Sequence, residues 1–136
     1  MAVTITKEPP DPGEDLKRKS AAGKPPLALL QLHALIGAAR VREYGDGKYA
    51  PGNWLYARAD EETCTRYAGA ALRHLMGMQA YGGRFYLLSC IRRDDESDLP
   101  HIDHAIMSLV MLREILMYRG YMDADPGQHL HRPADA

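Results

Sequence analysis

The chain has 136 residues, of which 26% are charged, and its formal net charge is −1. This length is typical of one domain with its own core, and the balanced charge excludes the positive field of a general nucleic-acid binder. Cys64 and Cys90 form no CxxC pair, so neither a zinc knuckle nor a disulfide framework is indicated. Without a signal peptide or membrane-spanning run, we expect a soluble cytoplasmic protein with no nucleic-acid or membrane partner.

The two ends of the chain differ in composition from its middle. Residues 1–23 combine prolines and charges with few large apolar side chains, which predicts an arm-like or disordered segment. Residues 123–136 have the same character and are predicted to be a flexible tail. His129 and His131 fall in this tail and are excluded from the candidate site. A helical domain is expected between the ends, over residues 24–122.

Hydrophobic spacing predicts the helices of this domain. The first is expected directly after Pro25-Pro26, with apolar positions at Leu27, Leu30, Ala34, Leu35, Ala38 and Val41. The second is expected to begin at Asp60, a good N-cap residue, and to run to Gly82-Gly83. Its apolar stripe consists of Tyr67, Ala68, Ala71, Leu72, Leu75 and Met78, with His74 at the edge.

The third helix is expected to begin with Asp98 as its N-cap and Pro100 in its first turn, and to continue to Leu116. A shorter helical piece is expected within residues 84–91, and the one β-friendly run, 85–88, has no partner. The chain is therefore predicted to be all-α, a small helical bundle. Such helices often bury their remaining faces against another copy, so an oligomer is expected.

The start of the third helix carries the densest group of metal-ligand side chains. The candidate ligands are Asp94, Asp95, Glu96, His101 and His104. On a helical wheel the two histidines share an inward face, whereas Asp103 and Glu114 point to the opposite side. Imidazole and carboxylate ligands together suit a divalent cation such as Mn²⁺, Co²⁺, Mg²⁺ or Zn²⁺.

A structural interpretation of the same residues stays open. An inward-facing histidine is more often a hydrogen-bonded core residue than a ligand, and acids before a helix commonly interact with its dipole. Two histidines on one stripe beneath several acids favour the metal interpretation more than a single histidine would.

The segment 43–54 combines glycines with side chains that suit a nucleotide. Lys48 supplies a point charge for a phosphate, Asn53 supplies a polar group, and Tyr49 or Trp54 offers a stacking plane. The alternative is an ordinary turn whose aromatic residues fill the core. The sequence contains no GxxxxGK[ST] motif, so a phosphate loop of the Walker type is excluded.

Several short motifs, read in order, resemble a known family. They are Lys24-Pro25-Pro26-Leu27, Gly45-Asp46-Gly47-Lys48-Tyr49, Gly52-Asn53-Trp54, Tyr67 with Arg73-His74-Leu75, Asp94-Asp95-Glu96-Ser97, Leu99-Pro100-His101 and His104-Ala105. This order is similar to that of the small phage dATP/dGTP diphosphohydrolases, a branch of the MazG-like all-α NTP pyrophosphatases. The similarity covers the chain from Lys24 to Leu116.

The resemblance implies metal-dependent hydrolysis of a purine deoxynucleoside triphosphate to the monophosphate and pyrophosphate, with dGTP as the substrate and dATP as a second candidate. It also implies Mn²⁺, Mg²⁺ or Co²⁺ as cofactor, a homodimer or homotetramer, and a role in shaping the phage dNTP pool in the host cytoplasm. The ExxE and ExxD acidic pairs of the wider MazG family are missing here. The metal ligands would instead come from His74, Asp94, Asp95, Glu96, His101 and His104.

Roles for individual residues are expected from the chemistry of this reaction together with the residue types described above. Catalysis is expected from Glu96, His101 and His104. Substrate binding is expected from Lys24, Lys48, Tyr49, Asn53, Trp54 and Arg73. Two rival functions remain: a non-catalytic helical interaction protein with structural histidines, and an HD-type phosphohydrolase. The second is disfavoured because Asp103-His104 reverses the His-Asp pair. No residue suggests a covalent nucleophile.

Overall fold

The computed structural model describes residues 24–127, so the predicted arm and most of the predicted tail, with His129 and His131, lie outside the described residues. The helices belong to a compact unit of Ala28–Ala124. The chain ends belong to a second unit, of which residues 24–27 and 125–127 are described. In that unit Lys24 is exposed, and the amide of Leu27 donates to the carbonyl of Pro25 over 2.9 Å.

Within residues 24–127 four α-helices are formed: α1 (Ile36–Lys48), α2 (Glu61–Met78), α3 (Leu87–Cys90) and α4 (His101–Tyr118). Short 3₁₀ turns occupy Leu27–Leu29, Leu32–Leu35, Asn53–Tyr56 and Tyr81–Gly83. The same residues contain no strand, only an isolated bridge between Arg93 and Pro100. The prediction of an all-α fold is therefore confirmed. No helix in this part of the chain is both long enough and apolar enough to cross a membrane.

The first helix begins later than the sequence predicts. The chain after Pro26 forms two 3₁₀ turns, and α1 starts only at Ile36. Leu27 and Leu30 are 66% and 53% exposed, so their helical spacing does not correspond to a buried face. At its other end α1 extends to Lys48, which makes the first half of the predicted nucleotide loop helical.

The start of α2 is where the sequence predicts it, because the Asp60 side chain accepts a hydrogen bond from the amide of Thr63 over 2.9 Å. Its end is earlier than predicted, at Met78. Gly82 and Gly83 have φ angles of 79° and 76°, left-handed conformations that glycine adopts without steric cost but that a continuing helix cannot contain. The predicted helical piece within residues 84–91 is helical only over α3.

The predicted N-cap of α4 is wrong. Asp98 has a left-handed φ of 57°, and Pro100 occupies the N-cap position without a side-chain cap. Asp94 organises the chain before the helix instead, since its Oδ2 accepts from the amides of Glu96 and Ser97 over 3.1 and 3.0 Å. This turn of the Asx type presents the acidic run beside the start of α4.

Small side chains bring α2 and α4 together. The buried apolar residues of the unit are Ala38, Ala71, Met78, Ala105, Met107 and Ile115. Alanines at the α2–α4 interface permit a close approach of the two backbones. The face of α2 that meets α4 includes His74, which is predicted at the edge of the apolar stripe. Leu72 and Leu75, predicted within the stripe, are 61% and 37% exposed and lie outside the core.

The other side of α4 packs against α1. Gly37 faces the carboxylate of Asp103 so closely that a Cβ at Gly37 would lie 2.1 Å from Asp103 Oδ2. Further along, Arg42 forms an ion pair with Glu114. Asp103 and Glu114 therefore point away from the histidines, as the helical wheel predicts, and α4 is enclosed on two sides.

Candidate functional site

Three histidines meet where the second half of α2 lies against the start of α4. The Nδ1 atoms of His74 and His101 are 2.9 Å apart. The ring of His74 also stacks on that of His104, with 4.3 Å between centroids and 9° between planes. The absent side chain of Gly77 makes room for this cluster, since a Cβ there would lie 2.6 Å from His101 Nε2.

Asp94 adds a carboxylate to this cluster. Ligand atoms of His74, Asp94 and His101 all lie within 4.8 Å of one another, and all three residues are half-buried. Two ligands at about 2.1 Å from one octahedral ion lie about 3 Å apart, which agrees with the separation of the two Nδ1 atoms. Two imidazoles and one carboxylate form a donor set that fits a divalent transition metal such as Mn²⁺ or Co²⁺.

The local electrostatics keep His74, His104 and Asp94 in the forms that bind a cation. Burial, reinforced by the neighbouring imidazoles, lowers the pKa of His74. Burial also lowers the pKa of His104, so both rings are neutral at neutral pH. For Asp94, burial acts to raise the pKa, but hydrogen bonds from Ser97 help to outweigh it and the pKa lies below its ordinary value. Neutral imidazole and ionised carboxylate are the ligating forms.

His104 and two of the predicted acidic ligands lie outside this group of three ligands. His104 stacks on His74 and has its Nε2 2.7 Å from Ser97 Oγ. Asp95 is exposed. Glu96 faces α1, where its Oε1 accepts from Lys48 Nζ over 2.6 Å and from the Tyr44 hydroxyl over 3.2 Å.

The contact with Lys48 also changes the titration of Glu96. The hydrogen bond from Lys48, and then that from Tyr44, lower the pKa of Glu96. The same hydrogen bond raises the pKa of Lys48. Lys48, which is predicted to contact a phosphate, is therefore paired with the carboxylate of Glu96 in this structure.

A cleft of about 670 Å³ is formed by α1, α2, α4 and the Asn53–Tyr56 turn. Four of the predicted substrate-binding residues line it, namely Tyr49, Asn53, Trp54 and Arg73. Its volume lies within the range of about 300–1,000 Å³ that is typical of small-molecule sites. Of the two predicted lysines, Lys48 pairs with Glu96 and Lys24 belongs to the other unit of the chain.

Trp54 is anchored inside this cleft. Its Nε1 donates to Glu114 Oε2 over 3.2 Å, and the guanidinium carbon of Arg42 lies 4.3 Å from the centroid of its ring. Arg42 also pairs with Glu114, so the three side chains form one network. One face of the indole is thus covered by Arg42. Tyr49, which is 63% exposed, presents the more accessible ring.

Two cationic side chains of α2 also line the cleft. Arg66 and Arg73 line it two helical turns apart, and both are exposed. Arg66 pairs with Glu62 over 3.2 Å, whereas Arg73 pairs with no carboxylate of the described residues. Two guanidinium groups along one wall suit an oligophosphate, because each can bind phosphate oxygens through parallel N–H donors.

The cleft and the histidine cluster are neighbours along the same pair of helices. Ala70 lines the cleft and precedes His74 by four residues, and Ser108 lines it and follows His104 by four residues. One such step corresponds to about 6 Å along a helix axis. The cleft therefore lies about one helical turn from His74 and His104.

Arg42, Arg66 and Ser97 were not among the predicted site residues. The seven-residue spacing of Arg66 and Arg73 predicts that they share one side of α2, but no role in the site was assigned to Arg66 from it. Ser97 follows Asp94 by three residues, a spacing typical of turns capped by an aspartate side chain. Arg42 had no such signal, because its partner Glu114 is 72 positions away.

One comparison with known proteins identifies a family. The family model described as dATP/dGTP diphosphohydrolase, N-terminal, matches residues 14–125. No curated protein and no solved structure matches the chain. The predicted resemblance to the dATP/dGTP diphosphohydrolases is confirmed, whereas the placement within a MazG-like branch stays a prediction. The chain belongs to the family of the dATP/dGTP diphosphohydrolase N-terminal domain.

Proposed function

We propose that this protein hydrolyses a purine deoxynucleoside triphosphate, dGTP with dATP as a second candidate, to the monophosphate and pyrophosphate. The proposal rests on one observation, the convergence of His74, Asp94 and His101 within 4.8 Å beside a cleft with cationic side chains. Membership of the dATP/dGTP diphosphohydrolase family supports the substrate class. Such an activity would shape a dNTP pool, as the resemblance to the phage enzymes implies.

The cleft suggests how a nucleotide would lie. Arg73 directly precedes His74 on α2, so phosphates bound by Arg66 and Arg73 would reach the histidine cluster. The base would then lie near Tyr49 and Asn53, with stacking on the exposed ring and hydrogen bonds from the amide. Lys48 would add a charge to the phosphates only after separating from Glu96.

The reaction needs positioning and charge neutralisation rather than a covalent nucleophile. A water attacks the α-phosphorus, and the bond between that phosphorus and the bridging oxygen breaks, so that pyrophosphate leaves with the bonding electrons. A divalent cation held by His74, Asp94 and His101 would neutralise phosphate charge and lower the pKa of a water. The neutral imidazole of His104 would accept the proton of the attacking water, and Glu96 would orient that water through its second carboxylate oxygen.

The two rival functions are less well supported. In an HD-type site histidine and aspartate converge on one metal, but Asp103 packs against Gly37 of α1 while His104 stacks on His74 of α2. A non-catalytic scaffold would hold its histidines for structure alone. Thermal unfolding with Mn²⁺ and dGTP distinguishes an enzyme from a scaffold. A ligand present at 100 times its Kd raises the free energy of unfolding by about 2.7 kcal/mol, whereas the melting temperature of a scaffold would not change.

A second copy of this chain is the proposed partner, as a homodimer or homotetramer. Large apolar side chains of α2 and the following segment are exposed, among them Leu72, Met76, Leu87 and Leu88 at 61%, 69%, 79% and 77%. Monomeric proteins rarely expose apolar patches beyond a few hundred Å². Light scattering should give a mass above that of one chain, and Leu88→Asp should reduce it; a monomeric wild-type protein would contradict this.

The experiment that tests the function is a nucleotide panel with product separation. Ribo- and deoxyribonucleoside triphosphates are incubated with Mn²⁺, Mg²⁺ or Co²⁺, and pyrophosphate is separated from orthophosphate by ion exchange. Pyrophosphate release from dGTP or dATP that stops in excess chelator is expected. Release of orthophosphate, or undiminished hydrolysis in chelator, would overturn the proposal.

A further inference from the structure

Ser97 lies between a predicted metal ligand and a predicted catalytic histidine. Its Oγ is 3.2 Å from Asp94 Oδ2 and 2.7 Å from His104 Nε2. The amide of Leu99 donates to the same oxygen over 3.2 Å. Ser97 is half-buried. Its three contacts equal the hydrogen-bonding capacity of a hydroxyl group, which has one proton and two lone pairs.

The number of protons fixes the direction of each bond. A serine hydroxyl has one proton and two acceptor lone pairs. The Leu99 amide can only donate, so it uses one lone pair. The Asp94 carboxylate can only accept, so it receives the hydroxyl proton. The second lone pair then accepts from His104, whose Nε2 must carry a proton.

The opposite direction leaves one contact unsatisfied. If the hydroxyl donated to His104 Nε2, no proton would remain between Ser97 Oγ and Asp94 Oδ2, which lie 3.2 Å apart. Two acceptor oxygens would then face each other in a half-buried site, and the repulsion would disfavour that arrangement. The relay from His104 through Ser97 to Asp94 satisfies all three contacts.

We propose that Ser97 is a positioning residue that holds His104 in the Nε2–H tautomer. A neutral imidazole carries one proton, so Nδ1 of His104 is then the unprotonated acceptor that the site presents. If the proposed function holds, this Nδ1 takes the proton of the attacking water. Ser97 acts through His104 and does not touch the nucleotide.

The same hydroxyl orients Asp94. Three donors occupy its Oδ2, namely the amides of Glu96 and Ser97 and the Ser97 hydroxyl. Oδ1 is therefore the oxygen left for a cation. Removing a hydrogen-bond partner that orients a metal ligand in this way typically lowers metal affinity or activity about 10- to 100-fold.

The direct test is the tautomer of His104 in the metal-free protein. Long-range ¹H–¹⁵N correlation spectra of ¹⁵N-histidine-labelled protein, recorded above the ordinary titration range of histidine, distinguish Nε2–H from Nδ1–H rings. The signal of His104 is the one missing in His104→Gln. We expect Nε2–H in the wild type, a mixture in Ser97→Ala, and Nε2–H again in Ser97→Thr, which keeps the hydroxyl.

Ser89 offers a matched control, because among the described residues the hydroxyl of this buried serine hydrogen-bonds only with the backbone of Tyr86. Ser89→Ala should lower the melting temperature and leave the spectrum of His104 unchanged. Wild-type His104 protonated on Nδ1, or a Ser97→Ala spectrum identical to the wild type, would overturn the proposal.

Kinetics provide a second readout that depends on the proposed function. Ser97→Ala should lower kcat about 10- to 100-fold with a smaller change in KM, and Ser97→Thr should restore it. Equal loss of kcat in both variants would contradict the positioning role. If the wild type hydrolyses no nucleotide but shows the expected tautomers, the proposed function fails and the role of Ser97 stands.

Discussion

His74 and His101 approach within 2.9 Å through their Nδ1 atoms, although 27 positions separate them in the chain. Without a cation, one ring must donate and the other accept, because two nitrogen lone pairs cannot face each other at this distance without repulsion. The contact joins α2 to α4 and depends on the empty space at Gly77. The geometry of the candidate metal site is therefore a property of this helix interface.

Gly77→Ala changes that interface by adding a single methyl group. The new Cβ would lie 2.6 Å from His101 Nε2, so the imidazole must move. We expect metal affinity and turnover to fall about 10- to 100-fold, as for other changes that misorient a ligand. Isothermal titration with Mn²⁺ and a pyrophosphate assay measure the two effects.

Gly47→Ala is the control for that substitution. Gly47 also lies in a helix, but its Cβ would meet nothing within 4 Å. Alanine should therefore stabilise this variant by about 0.5–1 kcal/mol and leave turnover unchanged. Wild-type metal affinity in Gly77→Ala would show that the position of His101 does not control binding.

Glu96→Gln should lower turnover about 100-fold or more, the scale expected when a group that orients or deprotonates water is lost. Stability should change little, since the side chains of the Lys48–Glu96 pair are 41% and 66% exposed. Glu43→Gln breaks the comparably exposed pair with Arg40 and should keep full activity. Steady-state kinetics and thermal unfolding are measured for both variants. Substantial turnover in Glu96→Gln would show that Glu96 forms a surface ion pair and has no role in catalysis.

The two aromatic residues of the cleft should respond differently to mutation. Tyr49→Ala removes an exposed ring, so KM should rise by the 5- to 150-fold that corresponds to about 1–3 kcal/mol of base stacking, with an unchanged melting temperature. Trp54→Phe removes the bond to Glu114 and should lower stability by about 1.5–3 kcal/mol. Michaelis–Menten kinetics and thermal unfolding separate the two roles. An unchanged KM in Tyr49→Ala would place the base elsewhere.

Asp103 makes the stability of the fold depend on pH. Burial raises its pKa in the folded state, so ionised Asp103 destabilises the fold at neutral pH. As pH falls through the folded pKa toward the unfolded value near 3.9, the folded state binds its proton first and this destabilisation is lost. Asp103→Asn should be more stable than the wild type at neutral pH, and the difference should shrink on acidification.

Urea unfolding of both proteins across this pH range measures that difference. A gap in the free energy of unfolding that stays constant, or that widens as pH falls, would contradict the assignment. The comparison is specific because asparagine keeps the shape that fits beside Gly37.

Local signals in the sequence predicted much of this structure. Asp60 caps α2 as expected, and the face of α4 that carries His101 and His104 follows directly from helical periodicity. Each of these features depends on residues within one or two turns. The all-α class followed in the same way, from helical spacing and the lack of paired strand signals.

Features that depend on distant partners could not be derived from local spacing. His74 was expected as a metal ligand only in the light of the family resemblance. Its place at the centre of the cluster depends on the small residues that let α4 approach α2, which a wheel of α2 alone does not reveal. The Arg42–Glu114 pair joins α1 to α4 across 72 positions of the chain. Asp98 is a residue type that commonly forms an N-cap. In the structure it follows the turn organised by Asp94 and has a left-handed conformation instead.

The most direct test of the central claim is the coordination of Mn²⁺ in the wild type and in His101→Gln. Pulsed electron paramagnetic resonance detects couplings from the nitrogens of coordinated imidazoles. We predict couplings from two imidazoles in the wild type and from one in His101→Gln, with loss of dGTP hydrolysis, while His33→Gln, which changes an exposed histidine, matches the wild type. Mn²⁺-dependent hydrolysis without any imidazole coupling, or unchanged couplings in His101→Gln, would contradict a metal site at His74, Asp94 and His101.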